Sequence, residues 1–260
     1  MDLQLADKVV LITGGSKGIG FQTALTFANE GANVVICARG EKQLQVAKAV
    51  ILTKTGQEIL TVQADVSKEK DCEKVITAII NMFGRLDILV NNAGTAAANP
   101  FEQVSSEGWQ HDIDLKLFGA IHMAKLALPF LRESESGSIV NVTAIGGKNP
   151  GASSMPTSIS RAAGLALTKA MSKDLGSDNI RVNAVCIGLI RSDQIEKRWQ
   201  ANAPEMTWEE YSQQEGASIP LGRIGEAQEA ANMIVFLSSP AASYISGTAV
   251  NIDGGVASSL

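Results

Sequence analysis

A short apolar strand that runs directly into a glycine-rich turn and a helix constrains the fold of this chain more than any other segment. Val9–Ile12 are all apolar, and the sequence TGGSKGIG follows at Thr13–Gly20. Its Gly14, Gly18 and Gly20 permit a tight turn and a close approach of the backbone to a phosphate group. The N-terminus of the following helix offers free N–H groups and the positive end of the helix dipole. In this setting the pattern predicts a nucleotide-binding βαβ unit.

Short apolar strands and helix-length segments alternate along the rest of the chain. Strands that are covered on both faces are short and rich in Val and Ile, so the alternation predicts an α/β fold with a mostly parallel sheet and helices on both of its faces. The predicted strands are Val9–Ile12, Val34–Cys37, Ile59–Gln63, Ile88–Val90, Ile139–Val142, Arg181–Val185 and Ala249–Ile252. The predicted helices are Ile19–Glu30, Gln43–Thr53, Lys68–Phe83, Gly108–Leu131, Ser158–Leu175 and Glu226–Leu237.

No repeat, low-complexity tract or linker interrupts this alternation, so we interpret residues 1–260 as a single domain. One stretch, Ser192–Ile219, departs from the rhythm and carries Trp199, Trp208 and Tyr211. An insertion after a late strand is where a substrate lid would lie, and we therefore predict a lid at residues 192–219. The alternatives are a packing excursion and a subunit contact.

The composition disfavours several classes of function. Lys and Arg number 22 against 27 Asp and Glu, which gives a net charge of −5 and no basic surface for nucleic acid. The three Cys are far apart and the two His are too few for a His-built site, so we expect a reducing compartment, no disulfide framework and no metal. No apolar run approaches the roughly 18 residues of a membrane span, and the first residues lack the pattern of a signal peptide. We therefore expect a cytoplasmic protein that engages neither nucleic acid nor a membrane.

The end of the second predicted strand indicates which nucleotide the turn would take. Folds that select NAD place an acidic residue near this point to bind the ribose 2′-hydroxyl, but here the strand ends in Ala38 and Arg39. Lys17 adds a second cation within the glycine-rich turn. Two cations and no carboxylate suit a 2′-phosphate, so NADP(H) is favoured over NAD(H). The alternative is that Arg39 is only a solvated surface charge.

Several further motifs follow the glycine-rich turn in order. They are ADV at Ala64–Val66, NNAG at Asn91–Gly94, IVNVT at Ile139–Thr143, RAAGLALTK at Arg161–Lys169, IRVNAV at Ile180–Val185 and SGTAVNIDGG at Ser246–Gly255. By these motifs the chain resembles the short-chain dehydrogenase/reductase family, from about Leu5 to Gly255. The resemblance implies a Rossmann-type doubly wound parallel sheet of about seven strands. It also implies hydride transfer between a nicotinamide cofactor and the carbonyl or alcohol group of a small-molecule substrate, and assembly as a homotetramer or dimer.

The resemblance further implies which residues bind the cofactor. They lie in the glycine-rich turn, after the second and third strands, in the NNAG motif, at the start of a later helix and after the sixth strand. The implied residues are Gly14, Ser16, Lys17, Gly18, Ile19, Gly20, Arg39, Asp65, Val66, Asn91, Ala93, Gly94, Arg161, Gly188, Ile190 and Ser192.

The family's four catalytic residues correspond to positions that all differ in this chain. The family uses a Tyr as proton donor, a Lys four residues later, a Ser thirteen residues before the Tyr, and an Asn on the preceding long helix. Registered from the motifs on both sides, these positions hold Thr157, Arg161, Ala144 and Lys116, and Thr143 stands beside Ala144. Neither of the two Tyr residues of the chain is followed by a Lys at the required spacing.

These replacements leave three hypotheses open. A hydroxyl such as that of Thr157 donates a hydrogen bond although it is a far weaker acid than a phenol, and the Lys116 ammonium is a candidate general acid. Arg161 keeps a positive charge but cannot release a proton. We predict a working NADP(H)-dependent oxidoreductase with a non-standard proton relay built from Lys116, Thr143, Thr157 and Arg161. The alternatives are a catalytically silent NADP(H)-binding protein or partner subunit, and a non-redox lyase or dehydratase on the same fold.

Overall fold

Seven parallel strands form one sheet in the computed structural model, which describes residues 1–259. The strands are β1 (Val9–Thr13), β2 (Asn33–Ala38), β3 (Leu60–Gln63), β4 (Ile88–Asn91), β5 (Gly137–Ala144), β6 (Ile180–Ile187) and β7 (Ala249–Ile252). Their order across the sheet is β3-β2-β1-β4-β5-β6-β7. Each predicted strand is confirmed. The strand order reverses direction between β1 and β4, which opens a crevice at the carboxyl ends of these two strands.

Helices cover both faces of the sheet. They are α1 (Gly18–Asn29), α2 (Glu41–Thr55), α3 (Glu69–Phe83), α4 (Ser106–Ile113), α5 (Gly119–Arg132), α6 (Thr157–Asp174), α7 (Asp193–Asn202), α8 (Trp208–Glu215) and α9 (Ala227–Ser238). Alternate residues of β1 enter two separate cores: Val10 and Ile12 pack with α1, α2 and α9, whereas Val9 and Leu11 pack with α3 and α5. This arrangement confirms the doubly wound Rossmann-type fold. Within residues 1–259, none of the helices combines the length and apolarity needed to cross a bilayer.

The long helix predicted over Gly108–Leu131 is interrupted in the structure. α4 ends at Ile113, a π-helical turn covers Asp114–Phe118, and α5 begins at Gly119. A π turn inserts an extra residue into the helical repeat and is frequent at functional sites. Here the turn contains Lys116. Hydrophobic periodicity does not reveal such a turn because the helices on both sides keep one apolar face toward the core.

The segment 192–219, predicted as a lid, contains α7 and α8, which enclose an aromatic cluster. The ring centroid of Trp208 lies 5.6 Å from that of Trp199 and 6.0 Å from that of Tyr211. The guanidinium of Arg191 lies 4.4 Å from the centre of the Trp208 ring, a distance typical of a cation–π contact. These aromatic side chains are therefore engaged in packing the small core of the segment.

Candidate active site

A cleft of about 420 Å³ opens at the carboxyl ends of β1, β2, β3 and β4. It lies at the switch point of the sheet, where doubly wound folds bind nucleotides. Most of the predicted cofactor-binding residues line it: Gly14, Ser16, Lys17, Gly18, Ile19, Gly20, Arg39, Asp65, Val66, Ala93, Gly94 and Ser192. The structure thus brings together residues from five segments that are far apart in the sequence.

The glycine-rich turn makes close contacts that only glycine allows. Gly14 has a φ of +65°, and a Cβ there would lie 2.9 Å from the Cα of Ala93. A Cβ on Gly20 would collide with the carbonyl oxygen of Gly14. The Thr13 hydroxyl accepts hydrogen bonds from the backbone N–H groups of Asn92 and Ala93, both at 3.0 Å, which ties the turn to the end of β4. Because the N-terminus of α1 has no side-chain cap, its free N–H groups complete a cradle that fits a pyrophosphate.

Of the two cations predicted to bind the cofactor, Arg39 is exposed and Lys17 is held in an ion pair. Arg39 is exposed at the rim of the cleft, and no ion pair among residues 1–259 involves it. Gln63 Nε2 donates a 2.9 Å hydrogen bond to the Arg39 carbonyl and fixes the loop. Lys17 Nζ instead forms a 2.8 Å ion pair with Asp193 Oδ1, and this bond lowers the pKa of the Asp193 carboxyl. Of these two cations, Lys17 is therefore neutralised by an acidic partner, whereas Arg39 is not neutralised by any of the described residues.

Asn91, Gly188 and Ile190, which the resemblance assigns to the cofactor, do not line this cleft. Asn91 is buried, and its Nδ2 donates to Asn141 Oδ1 on β5 at 2.9 Å. A Cβ on Gly188 would lie 2.6 Å from Asp253 Cβ, and Ile190 is buried and forms a parallel bridge with Gly225. Asn91 thus links β4 to β5, whereas Gly188 and Ile190 lie against Asp253 and Gly225.

The hydroxyl of Thr157 is held by two hydrogen-bond donors. Thr157 is the first residue of α6, and its Oγ1 accepts from Lys116 Nζ at 3.0 Å and from the backbone N–H of Ala97 at 3.0 Å. A hydroxyl has two acceptor lone pairs and one proton. Both lone pairs are used, so the O–H proton is left to be donated, and Thr157 donates it to no acceptor within residues 1–259. The geometry presents Thr157 as a hydrogen-bond donor.

Sequence reasoning missed Asp112, which lies directly behind this pair. Asp112 is buried in α4, forms an ion pair with Lys116, and accepts a 2.6 Å hydrogen bond from the Ser160 hydroxyl. The Asp and Lys stand four residues apart, a spacing that brings side chains together on a helix. That spacing on an otherwise buried helix face was the one signal that could have identified Asp112.

Burial and neighbouring charges set the ionisation of Lys116. Burial lowers the pKa of the ammonium, the bond to Asp112 raises it, and the positive charge of Arg161 lowers it again, with a net shift below the ordinary value. A buried amine whose pKa is lowered toward the working range is suited to proton transfer. The arrangement therefore places a candidate proton source behind the Thr157 hydroxyl.

Arg161 lies between this cluster and the cofactor cleft. Its Nη1 donates to the Val142 carbonyl at 2.6 Å, and a Cβ on Gly94 would lie 3.0 Å from its Nη2. Its Nε is buried and has no partner within residues 1–259. Burial lowers the pKa of the guanidinium, which nevertheless stays charged under ordinary conditions. Nη2, the guanidinium nitrogen next to Gly94 at the wall of the cleft, fits a sugar hydroxyl of a nucleotide.

Thr143, predicted as part of the proton relay, is placed differently. Its hydroxyl donates to the Val185 carbonyl at 3.2 Å and lies 3.3 Å from Cys186 Sγ. Thr143 is buried, and because it pairs in register with Cys186 of β6, the two side chains lie on the same face of the sheet and in contact. The structure joins Lys116 to Thr157 but does not join Thr143 to either of them.

Comparisons of sequence with known proteins agree with this fold. A family model described as enoyl-(acyl carrier protein) reductase matches residues 14–257. A 3-oxoacyl-[acyl-carrier-protein] reductase of Thermotoga maritima is 35% identical over 259 residues, which cover 98% of this chain and 99% of that protein. A tropinone reductase homologue of Arabidopsis thaliana is 34% identical over 252 residues, which cover 96% and 90% of the two chains.

Solved structures give the same picture. A short-chain oxidoreductase of Pseudomonas aeruginosa, described as containing an atypical catalytic center, superposes with a TM-score of 0.94 at 31% identity, and the match covers 100% of both chains. The L-sorbose reductase of Gluconobacter frateurii, solved with NADPH and L-sorbose, has a TM-score of 0.93 at 32% identity and the same coverage. Known oxidoreductases therefore share the whole of this architecture.

Proposed function

Because the chain belongs to the short-chain dehydrogenase/reductase family, we propose that it is an NADP(H)-dependent oxidoreductase in which Thr157 replaces the usual phenol as donor to a substrate carbonyl. The observation that carries this proposal is the hydroxyl of Thr157, which accepts two hydrogen bonds and keeps its proton available. The substrate is a small molecule with a ketone or aldehyde group, or the corresponding alcohol in the reverse direction.

The residues of the cleft fit NADP(H). The glycine-rich turn and the N-terminus of α1 would hold the pyrophosphate, Arg39 would pair with the 2′-phosphate, and Arg161 would donate to a ribose hydroxyl. When bound, this cofactor supplies the hydride that reduces a carbonyl carbon. The Gluconobacter sorbose reductase and the Pseudomonas oxidoreductase, both structurally similar to this chain, have been solved with NADPH bound, which supports the assignment.

Thr157 and Lys116 would serve the carbonyl oxygen. As negative charge develops on that oxygen, the Thr157 O–H donates to it and transfers its proton to form the alcohol. Lys116 Nζ, 3.0 Å behind Thr157 Oγ1, passes a proton to Oγ1, so that the threonine never carries a full negative charge. The Ala97 N–H also donates to Thr157 Oγ1 and stabilises this oxygen during the proton transfer. Fixed donors of this kind supply much of the rate enhancement of enzymes.

We propose that residues 192–219 act as the lid of this site. Two contacts tie the start of the segment to the rim of the cleft: the ion pair of Lys17 with Asp193, and the hydrogen bond from the Ala96 N–H to Gln194 Oε1 at 3.3 Å. We further propose that the protein works in the cytoplasm as a homo-oligomer, a dimer or tetramer.

The test is turnover by three forms of the protein: wild type, Thr157→Val and Thr157→Ser. Val keeps the shape of Thr without the hydroxyl, whereas Ser keeps the hydroxyl. With NADPH and a panel of ketones, aldehydes and quinones, we expect Thr157→Val to lose about 100-fold or more in kcat and Thr157→Ser to keep most of it. NADPH affinity, followed by fluorescence, should be the same in all three.

Two outcomes would contradict the proposal. Tight NADPH binding with no oxidation of the cofactor across the whole panel would favour a silent binding protein. Conversion of a substrate with no change in the cofactor spectrum would favour lyase or dehydratase chemistry.

A further inference from the structure

We propose that Asp112 is a positioning residue of this site, which fixes the Lys116 ammonium against the hydroxyl of Thr157. The inference rests on the proposed function, because it concerns the group that stands behind the proton donor. It identifies a residue to which neither the motifs nor the family resemblance assigns a role.

Both carboxylate oxygens of Asp112 are used, each by a different helix. Oδ1 pairs with Lys116 from the π-helical turn, and Oδ2 accepts from the Ser160 hydroxyl of α6 at 2.6 Å. Ser160 stands in the first turn of the helix that begins with Thr157, and its hydroxyl also lies 3.0 Å from the Thr157 carbonyl oxygen. Asp112 therefore holds α6 and Lys116 together and sets the distance between Lys116 Nζ and Thr157 Oγ1.

Two buried cations lie close together in this cluster and need a carboxylate as their counter-ion. Lys116 and Arg161 are both cations, one on the π-helical turn and one on α6, and the side chain of Lys116 is 1% exposed. Asp112 is the only carboxylate that the structure places in contact with Lys116 within residues 1–259. On the side of β6, the Cys186 thiol faces Arg161. Without Asp112, two like charges would share a buried site with no counter-ion, a costly arrangement.

This environment makes Asp112 decisive for the protonation of Lys116. Burial lowers the pKa of Lys116, Asp112 raises it, and Arg161 lowers it. Loss of the carboxylate removes the negative charge that favours the ammonium. Lys116 would then lose its proton at a lower pH, and reduction, which needs the ammonium as proton source, would fail at a lower pH than in the wild type.

The first experiment compares Asp112→Asn with Asp114→Asn in the full-length protein. Both variants replace a carboxylate by an amide of the same shape, at positions two residues apart. The Asp114 carboxylate, however, accepts a hydrogen bond from the exposed side-chain amide of Gln110 and forms no ion pair with Lys116. For Asp112→Asn we expect kcat to fall about tenfold or more above neutral pH and to fall less in mild acid. In a plot of kcat against pH, the basic limb should move to lower pH. The KM for NADPH should not change, and Asp114→Asn should behave as wild type.

The second experiment asks whether Asp112 acts through Lys116. In a Lys116→Met background, Asp112→Asn should cause no further loss of kcat, since the group that it positions is gone. An equal loss in both backgrounds, or a wild-type pH profile for Asp112→Asn, would overturn the inference. If Asp112→Asn fails to fold, Asp112→Glu keeps the charge and should keep the wild-type basic limb. A limb moved to lower pH in Asp112→Glu would equally overturn it.

A measurement without turnover separates this inference from the proposed function. The ¹³Cε resonance of Lys116, identified by its absence in Lys116→Met, can be titrated in the protein without cofactor. Asp112→Asn should move that titration to lower pH, and an unmoved titration would overturn the role of Asp112. A wild-type protein that never turns over would overturn the proposed function, while the titration would still decide whether Asp112 controls Lys116.

Discussion

Replacement of Lys116 by Met should destabilise the protein because it leaves a buried carboxylate without its cation. Asp112 is 3% exposed and would keep only the hydrogen bond from Ser160. Removal of one partner from a buried ion pair costs roughly 3–5 kcal/mol, and the surviving hydrogen bond places the expected loss near the lower end, at about 3 kcal/mol. Urea unfolding at neutral pH measures this loss as a lower midpoint with an unchanged slope.

The matched control removes both charges. In Asp112→Leu combined with Lys116→Met, apolar side chains of similar size replace the pair, and such replacements are often neutral or stabilising by about 1–4 kcal/mol. We therefore expect the double variant to be at least as stable as the wild type, to bind NADPH, and to reduce carbonyls no faster than Lys116→Met alone. A loss below about 1 kcal/mol in the single variant would refute the reasoning. So would a double variant that is no more stable than the single one.

The same lysine gives the wild type a distinct stability profile in alkali. Burial, opposed by Asp112 and assisted by Arg161, puts the folded-state pKa of Lys116 below its ordinary value of 10.5. Between the folded-state value and 10.5 the unfolded chain binds more protons than the folded one, so this group makes the free energy of unfolding rise with pH. The rise should be absent from Lys116→Met when the two proteins are unfolded in urea across the alkaline range. Parallel profiles would contradict a lowered pKa.

Two further predictions concern surface charges. Arg39→Leu should weaken NADPH binding about tenfold or more, since a charge-assisted hydrogen bond contributes about 1.5–3 kcal/mol, and should leave NADH binding unchanged in a fluorescence titration; equal weakening of both would contradict a contact with the 2′-phosphate. Arg223 donates to both carboxylate oxygens of Glu229 at 2.7 and 2.8 Å and thereby lowers the pKa of Glu229 to about 2. The stability from this pair is complete above the ordinary value of 4.5 and is lost as pH falls toward about 2. Thermal unfolding of Glu229→Gln should thus show a loss of no more than about 1 kcal/mol at neutral pH, because the pair is exposed, and a smaller loss in acid.

The strands and the cofactor cleft were predictable because their causes are local. Runs such as Val9–Ile12 are apolar on both faces, which is the pattern of a strand covered by two layers of helices. Gly14 is read from its spacing to Gly18 and Gly20, and the structure confirms that the turn tolerates no Cβ at two of these positions. In these segments, the residues that form the sequence pattern are also the residues whose contacts determine the structure.

The proton relay was predictable only as a set of residue types. Lys116 and Thr157 are 41 residues apart, and their 3.0 Å contact depends on the π-helical turn and on the start of α6. Thr143 has the same functional group as Thr157, yet its hydroxyl is bonded to the Val185 carbonyl of the neighbouring strand β6. Asp112 escaped notice because its role follows from burial next to Lys116, which no single-residue property reveals. Side-chain direction and burial, not residue type, decide membership of this site.

The sheet separates two tasks along its strand order. The cofactor cleft is built from the turns after β1 to β4, whereas Asp112, Lys116 and Thr157 lie on helices that flank β5 in the chain. The two regions meet at Gly94 and Arg161. Changes at sites that share no partner add nearly independently, so a lineage with this architecture can rewrite its relay at residues other than Gly94 and Arg161 while the cleft stays intact. Members of such a lineage can pass through inactive forms that still fold and still bind cofactor, and a new relay can then be assembled on an old cradle.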